Sequence, residues 1–186
     1  VMVVHSHSYL LMFTSAGKVY MKKAYQIPEA SRTAKGTNLV NVLELAEGEK
    51  VTSIVSLNGF DDDEYFVMVT KKGVIKRAST KDFEYQRKGG KIAINLDEGD
   101  ELLAVKKTEG ESDIIIATRK GKAVRFDEKD ARVMGRTARG VRGIRLKGDD
   151  DVVGVSVVEE GKKLITITEK GFGKRNDFDC FSAHSR

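Results

Sequence analysis

Val67-Met68-Val69-Thr70-Lys71-Lys72-Gly73-Val74-Ile75-Lys76-Arg77 reads as two short strands, rich in Val, Ile and Thr, joined by a tight turn whose Gly can take positive φ. The same arrangement, an apolar run ending in Thr, two residues, Gly and a second short run, recurs three times. Leu11–Tyr20, Ile115–Arg125 and Leu164–Arg175 repeat it around Gly17, Gly121 and Gly171. With Gly73, these marker glycines give a period of roughly 50 residues, the range of propellers and arrays.

Outward from each hairpin a second marker follows: Ser31-Arg32-Thr33-Ala34-Lys35-Gly36, Gln86-Arg87-Lys88-Gly89-Gly90-Lys91 and Gly135-Arg136-Thr137-Ala138-Arg139-Gly140, with a fourth copy breaking off at Ser185-Arg186. Next come an acidic Gly turn (Glu47-Gly48-Glu49, Glu98-Gly99-Asp100, Gly148-Asp149-Asp150) and a further apolar run at Val51–Val55, Leu102–Val105 or Val152–Val158. Each period therefore holds about four strands, and the expected fold is all-β, a propeller-like array of four-stranded blades that protects strand edges. The approximate repeats are 1–60, 61–110, 111–160 and a truncated 161–186.

Arg132, Arg136, Arg139, Arg142 and Arg145 have spacings that could place them on one helix face. Gly135, Gly140 and Gly143 lie among them, each costing a helix roughly 1 kcal/mol, and like charges on one face add repulsion. An extended basic loop is the better assignment.

Composition agrees with a folded, highly charged protein. The chain has 186 residues, 40% of them hydrophobic and 33% charged, with a formal charge of +5. The positive charge is concentrated, with eleven Lys or Arg against three Asp or Glu between Arg119 and Lys147. Such a segment favours a polyanionic partner. Asp61-Asp62-Asp63-Glu64 and Asp149-Asp150-Asp151 read as solvated loop tips. No apolar stretch approaches the roughly 18 residues of a membrane span, and no signal-peptide pattern opens the chain, so a soluble cytoplasmic protein is expected. Cys180, the sole cysteine, reads as a structural thiol.

Tyr25-Gln26-Ile27-Pro28-Glu29-Ala30-Ser31-Arg32-Thr33-Ala34-Lys35-Gly36, followed by Asn38-Leu39-Val40-Asn41, closely resembles the corresponding stretch of the DNA gyrase A family, the A subunits of bacterial type IIA topoisomerases. Gln86-Arg87-Lys88-Gly89-Gly90-Lys91 is similar to that family's gyrase A-box, Gln-Arg-Arg-Gly-Gly-Lys-Gly, with Ile92 in place of the final Gly. The resemblance runs along essentially the whole chain. It implies the C-terminal DNA-wrapping domain, a β-pinwheel in which neighbouring blades exchange strands and duplex DNA wraps around the outer rim. It also implies about six blades in the complete domain, of which three and part of a fourth are present.

Lys and Arg that neutralise phosphates bind without reading sequence, and cations repeated in every blade suit a bent duplex. The expected DNA contacts are Arg32, Lys35, Gln86, Arg87, Lys88, Gly89, Gly90, Lys91, Arg136, Arg139, Arg142 and Arg145, with Lys71, Lys72, Arg119, Lys120, Lys122, Lys170, Lys174 and Arg175 as weaker, turn-borne candidates. The two box glycines would let the backbone approach a phosphate or take positive φ. No catalytic residue, metal site or cofactor is expected. His5-Ser6-His7 lacks a third ligand, no phosphate-binding loop is present, and Tyr9, Tyr20, Tyr25, Tyr65 and Tyr85 do not match the family's cleavage motif, the first, second and fourth reading as core or sheet-face residues. ATP and Mg2+ would serve other parts of the intact enzyme. The implied partners are double-stranded DNA and, in a heterotetramer, the remainder of the gyrase A chain with the gyrase B chain; the implied location is nucleoid-associated. The alternatives are the equivalent domain of topoisomerase IV, or a propeller used for protein interaction. A central-site hydrolase would need convergent carboxylates or His that the chain does not supply.

Overall fold

A computed structural model describes residues 2–85 and 89–184. Its strands are β1 (Tyr9–Thr14), β2 (Lys18–Lys23), β3 (Val51–Leu57), β4 (Tyr65–Thr70), β5 (Val74–Ser79), β6 (Lys91–Ile92), β7 (Leu102–Thr108), β8 (Asp113–Thr118), β9 (Ala123–Asp127), β10 (Val141–Arg142), β11 (Val152–Val157), β12 (Lys163–Ile167) and β13 (Gly173–Asp177). Helical geometry among the described residues is confined to short 3-10 turns, including Thr80–Phe83, Glu128–Asp130 and Phe178–Cys180. None is long and apolar enough to cross a membrane. The Arg132–Arg145 segment is not helical: it runs through a turn closed by the Ala138 amide on Gly135 O and then enters β10.

The strands form antiparallel sheets in the orders β3-β1-β2-β6, β10-β5-β4-β7, β11-β8-β9 and β12-β13. Each four-stranded sheet takes three strands from one repeat and its outermost strand from the next. Thus β6 pairs with β2 through Lys18↔Ile92 and Val19↔Lys91, and β10 pairs with β5 through Val141↔Ile75 and Arg142↔Val74. The repeat and the blade are therefore offset. β3, β7 and β11 contact one another in succession on the inner side, which leaves β6 and β10 on the outer rim.

The nearly unbroken apolar run of β4 follows from burial on both faces. Phe66 and Met68 face the first blade, packing with Leu11, Phe13, Val19 and Leu57. Val67 and Val69 face the third, packing with Ile114, Ile116 and Phe126. Phe13, Phe66 and Phe83 meet edge to face, with centroids 5.2 to 6.2 Å apart. Burial of one such side chain contributes roughly 1.5–3 kcal/mol, so each cluster between blades supplies most of the cohesion there. The apolar side chains of the last hairpin, Ile165, Ile167 and Phe172, are exposed.

Polar ties supplement these cores. Arg77 Nε donates to Ala131 O at 2.9 Å, and its guanidinium lies 3.5 Å from the buried Glu128 carboxylate. Glu128 also accepts from Thr108 Oγ1 and the Ser112 amide. Arg125 repeats the motif one blade on, donating to Phe178 O and Phe181 O while paired with Asp113. Lys76 is fully buried, and its Nζ donates to Ala93 O at 2.7 Å and to Arg136 O. Loss of solvation pushes its pKa down to about 8, against the opposing pull of Asp82 and with a smaller push from Arg136.

Why the marker residue is Gly is explained by the exchanged segment. Gly17 O accepts from the amides of Ala93 and Ile94 at 2.8 and 3.2 Å, and Gly73 O accepts from Gly143 and Ile144 at 2.8 and 3.2 Å. A Cβ on Gly17, at φ +74°, would stand 2.6 Å from Ile94 O, whereas one on Gly121, at φ +80°, would meet nothing within 4 Å. Gly121→Ala should therefore cost about 1 kcal/mol for the left-handed backbone alone, and Gly17→Ala roughly 1–3 kcal/mol more for overpacking. Paired thermal melts measure the difference, and equal midpoints would contradict the docking.

Lys76 yields a pH prediction. Its folded pKa of about 8 lies below the ordinary 10.5, so the unfolded chain binds more protons between those values. Burial of the charge costs stability below pH 8, by roughly 3 kcal/mol at ~1.4 kcal/mol per tenfold change, and the cost vanishes as pH rises to 10.5. The parent should gain stability relative to Lys76→Met across that window in denaturant titrations. Parallel pH curves would contradict the assignment.

Candidate nucleic-acid interface

Strand exchange places the basic segments on the rim. After β5 and β9 the chain crosses outward, lays a turn against the preceding blade, and enters β6 or β10. Gly90 and Gly140 occupy equivalent places in that turn, with φ of +79° and +97°. A Cβ on Gly90 would stand 2.9 Å from the Tyr20 ring, and one on Gly140 2.6 Å from Ile75 O. Positive φ is as expected from the box sequence. A close approach is made to the neighbouring blade, so these glycines seat the loop against it.

Of the cations riding on these segments, Arg142 on β10 and Arg145 beyond it are exposed, as are Arg32 and Lys35 and the box residue Gly89. Lys91, Arg136 and Arg139 reach oxygen atoms of the neighbouring backbone and side chains. Lys91 is half-buried, and its Nζ donates to Tyr85 O at 2.6 Å and Asp82 O at 3.2 Å. Burial lowers its pKa, with a further push from Arg136 that Asp82 opposes. Arg136 Nη1 donates to Ile92 O at 2.9 Å, and Arg139 pairs with Asp97 at 3.2 Å while both side chains stay largely in solvent. Gln86, Arg87 and Lys88, the heart of the box-like motif, lie outside the described residues, as does the Ser185-Arg186 copy.

The turn-borne candidates divide similarly. Lys71, Lys122, Lys170, Lys174 and Arg175 are exposed. Lys72 Nζ reaches Glu98 O at 2.8 Å, Arg119 pairs with Asp149 and Asp151 at 3.7 and 3.5 Å, and Lys120 bonds Asp149. The Lys120 hydrogen bond holds the Asp149 carboxyl below its ordinary pKa. Asp149-Asp150-Asp151 is consequently a solvated tip only in part, with the Asp149 side chain exposed. Asp150 is buried, with Oδ1 accepting from the amides of Lys120 and Asp151, as Asp100 Oδ1 accepts from those of Lys72 and Glu101. Burial raises the Asp150 pKa, but hydrogen bonds from Thr118 and those two amides outweigh it and keep the group acidic. The acidic Gly turn is a lid on the hairpin turn of its own blade, a contact between distant residues that composition alone cannot reveal. Asp61, Asp62 and Asp63 remain exposed.

Tyr20 is buried and donates to Glu44 O, Tyr9 packs against Phe60, and Tyr65 lies under Arg77, so these three are core and sheet-face residues. Tyr25 and Tyr85 are exposed, and His7 meets Tyr25 edge-on. Cys180 is exposed rather than buried in a structural role, as are Asp82 and Asp130 at the equivalent places in the preceding 3-10 turns. Lys76, Asn95 and Arg77 are architectural residues that the sequence pattern did not single out. The signal for Lys76 and Arg77 was two cations in succession inside an otherwise apolar strand. Asn95 had none.

The profile of the family described as DNA gyrase C-terminal domain, beta-propeller, matches residues 8–58, 64–109, 112–159 and 162–186. The DNA gyrase A protein of Haloquadratum walsbyi is 49% identical over the whole chain, and that of Salmonella typhimurium 40% identical over the whole chain. The chain spans about a fifth of the length of these relatives, 22% and 21% respectively. Among solved structures, a DNA gyrase A C-terminal domain superimposes with a TM-score of 0.81 at 31% identity, covering 98% of this chain and 59% of that one. The C-terminal domain of a DNA topoisomerase IV superimposes with a TM-score of 0.89 at 26% identity, covering 97% of this chain and 57% of that one. With its four repeats matched in sequence and its blades matched in space, the chain belongs to the DNA gyrase A C-terminal domain family.

Proposed function

We propose that this chain binds, bends and wraps duplex DNA without sequence preference, as part of the C-terminal domain of DNA gyrase A. The observation that carries the reading is the strand exchange that sets the basic segment around β10, with Arg142 and Arg145 exposed, on the rim and sets the segment entering β6 at the equivalent place one blade earlier. A duplex of persistence length about 150 bp resists sharp bending at a cost of several kcal/mol, which contacts spread along a curved rim can offset. Arg142 and Arg145, with Arg32, Lys35 and the box residues Gln86, Arg87 and Lys88, are the proposed phosphate contacts, while Lys91, Arg136, Arg139, Gly89 and Gly90 chiefly shape the loops that carry them.

No residue of this chain is assigned a catalytic step. In the intact enzyme, a type IIA topoisomerase built of two kinds of chain in the bacterial cytoplasm and nucleoid, wrapping would support negative supercoiling driven by ATP and Mg2+ at other domains. The whole chain is one portion of a β-pinwheel under this reading. The close superposition on a topoisomerase IV domain favours that enzyme as the second reading; introduction of negative supercoils into relaxed circles by the intact enzyme, against relaxation alone, separates the two.

Salt titration of duplex binding tests the reading. Log K should fall linearly against log[salt] with a slope near −0.9 per phosphate neutralised, and Arg142→Ala with Arg145→Ala should reduce that slope by about two while leaving the melting temperature nearly unchanged. A flat plot for the parent would exclude wrapping, and an unaltered slope for the double variant would turn this part of the rim away from DNA.

A further inference from the structure

Successive rim segments are joined to one another by a seam. The segment at 91–97 is docked on the first blade, and the loop at 135–140 is docked on the second. Between them, Lys76 Nζ donates to Ala93 O on one side and Arg136 O on the other. Arg136 Nη1 returns to Ile92 O at 2.9 Å, Asn95 Nδ2 donates to Thr137 O, the Asn95 amide to Ala138 O at 3.4 Å, and Arg139 pairs with Asp97 at 3.2 Å.

Cohesion of the blades does not require these contacts. The apolar clusters and the Arg77–Glu128 tie already hold the blades together further in. A fully buried ammonium is costly, and here the cost is met by two backbone carbonyls that an apolar side chain at this position would leave without their donor. Lys76 binds two backbone carbonyls that belong to different rim loops, and its position fixes their separation. Arg136 and Asn95 do the same nearer the surface. Phosphates spaced along a duplex present a fixed repeat, so a rim whose cation-bearing loops keep a fixed spacing imposes one curvature, whereas independently moving loops accept a range of curvatures at greater entropic cost.

We propose that Lys76 and Asn95 are positioning residues for DNA bending, coupling adjacent rim loops so that the cations of successive blades meet the duplex at one set curvature. This inference rests on the DNA-wrapping reading. It assigns neither residue a phosphate contact.

The test uses the complete chain and a ~40-bp duplex, well under one persistence length, with donor and acceptor dyes at its ends. Bound to the parent, the duplex should give a short and narrow end-to-end distance distribution. Lys76→Met and Asn95→Ala should each broaden and lengthen that distribution at saturating protein, weaken binding about fivefold, the worth of one hydrogen bond, and leave the salt slope as in the parent, because no phosphate contact is lost. Asn95 is exposed, so its variant decides the matter even if Lys76→Met does not fold. Distributions identical to the parent's in the folded variants overturn the coupling while the wrapping reading stands. A slope lowered by one would make the residue a direct phosphate contact instead. A parent that leaves the duplex straight overturns the wrapping reading and this one together.

Discussion

Two backbone hydrogen bonds organise this structure: the carbonyl of a hairpin glycine in one repeat accepts the amides of two residues from the next. Gly17 receives Ala93 and Ile94, and Gly73 receives Gly143 and Ile144. All four marker glycines hold positive φ, and at Gly17 and Gly73 the incoming segment also passes where a side chain would stand. Once the segment is pinned there, the following residues of the same repeat must run inward to begin the next inner strand, and the amides of Leu102 and Val152 bond Ser15 O and Lys71 O as they do so. Edge protection, blade packing and rim placement all follow from the one crossing.

The same crossing explains the arrangement of charge. Side chains facing between blades are buried on both sides and are apolar, except where a cation has a defined partner, as with Arg77 on Glu128 or Lys76 on two carbonyls. Side chains on the outermost strand and the loops around it have water on one side, and there Lys and Arg accumulate. Buried cations set geometry and exposed ones supply field. Some exposed cations supply less field than their number suggests: Arg119 and Lys120 are matched by Asp149 and Asp151, which leaves a smaller net positive potential on that turn.

Much of the fold was legible in the sequence because the repeat is long-range order written as local pattern. The marker glycines located the hairpins, the interspersed glycines excluded a helix at Arg132–Arg145, and β-branched runs located the strands. Blade membership of β6 and β10 was not legible from periodicity, since a two-residue strand leaves almost no pattern; only family resemblance implied exchange. Asp61, Asp62 and Asp63 are exposed as their composition suggests, but the burial of Asp150 was not legible, because a carboxylate that accepts backbone amides has the same composition as one in water. Among the site residues, exposure of Arg142 and Arg145 was legible from their place in a Gly-punctuated basic loop. Engagement of Lys91, Arg136 and Arg139 was not: the partners of Arg136 and Arg139 lie several strands earlier in the chain, and those of Lys91 are backbone carbonyls of its own loop, which side-chain composition does not reveal.

Amide hydrogen exchange resolved by residue tests the strand crossing most directly. In the absence of DNA, the amides of Ala93, Ile94, Gly143 and Ile144 should be protected to a degree approaching those of β4 and β5, because they close sheets to which they are not adjacent in sequence. Exchange of these four amides at the rate of the exposed turns would contradict the account, since the rim segments would then be loops lying beside the blades rather than strands belonging to them.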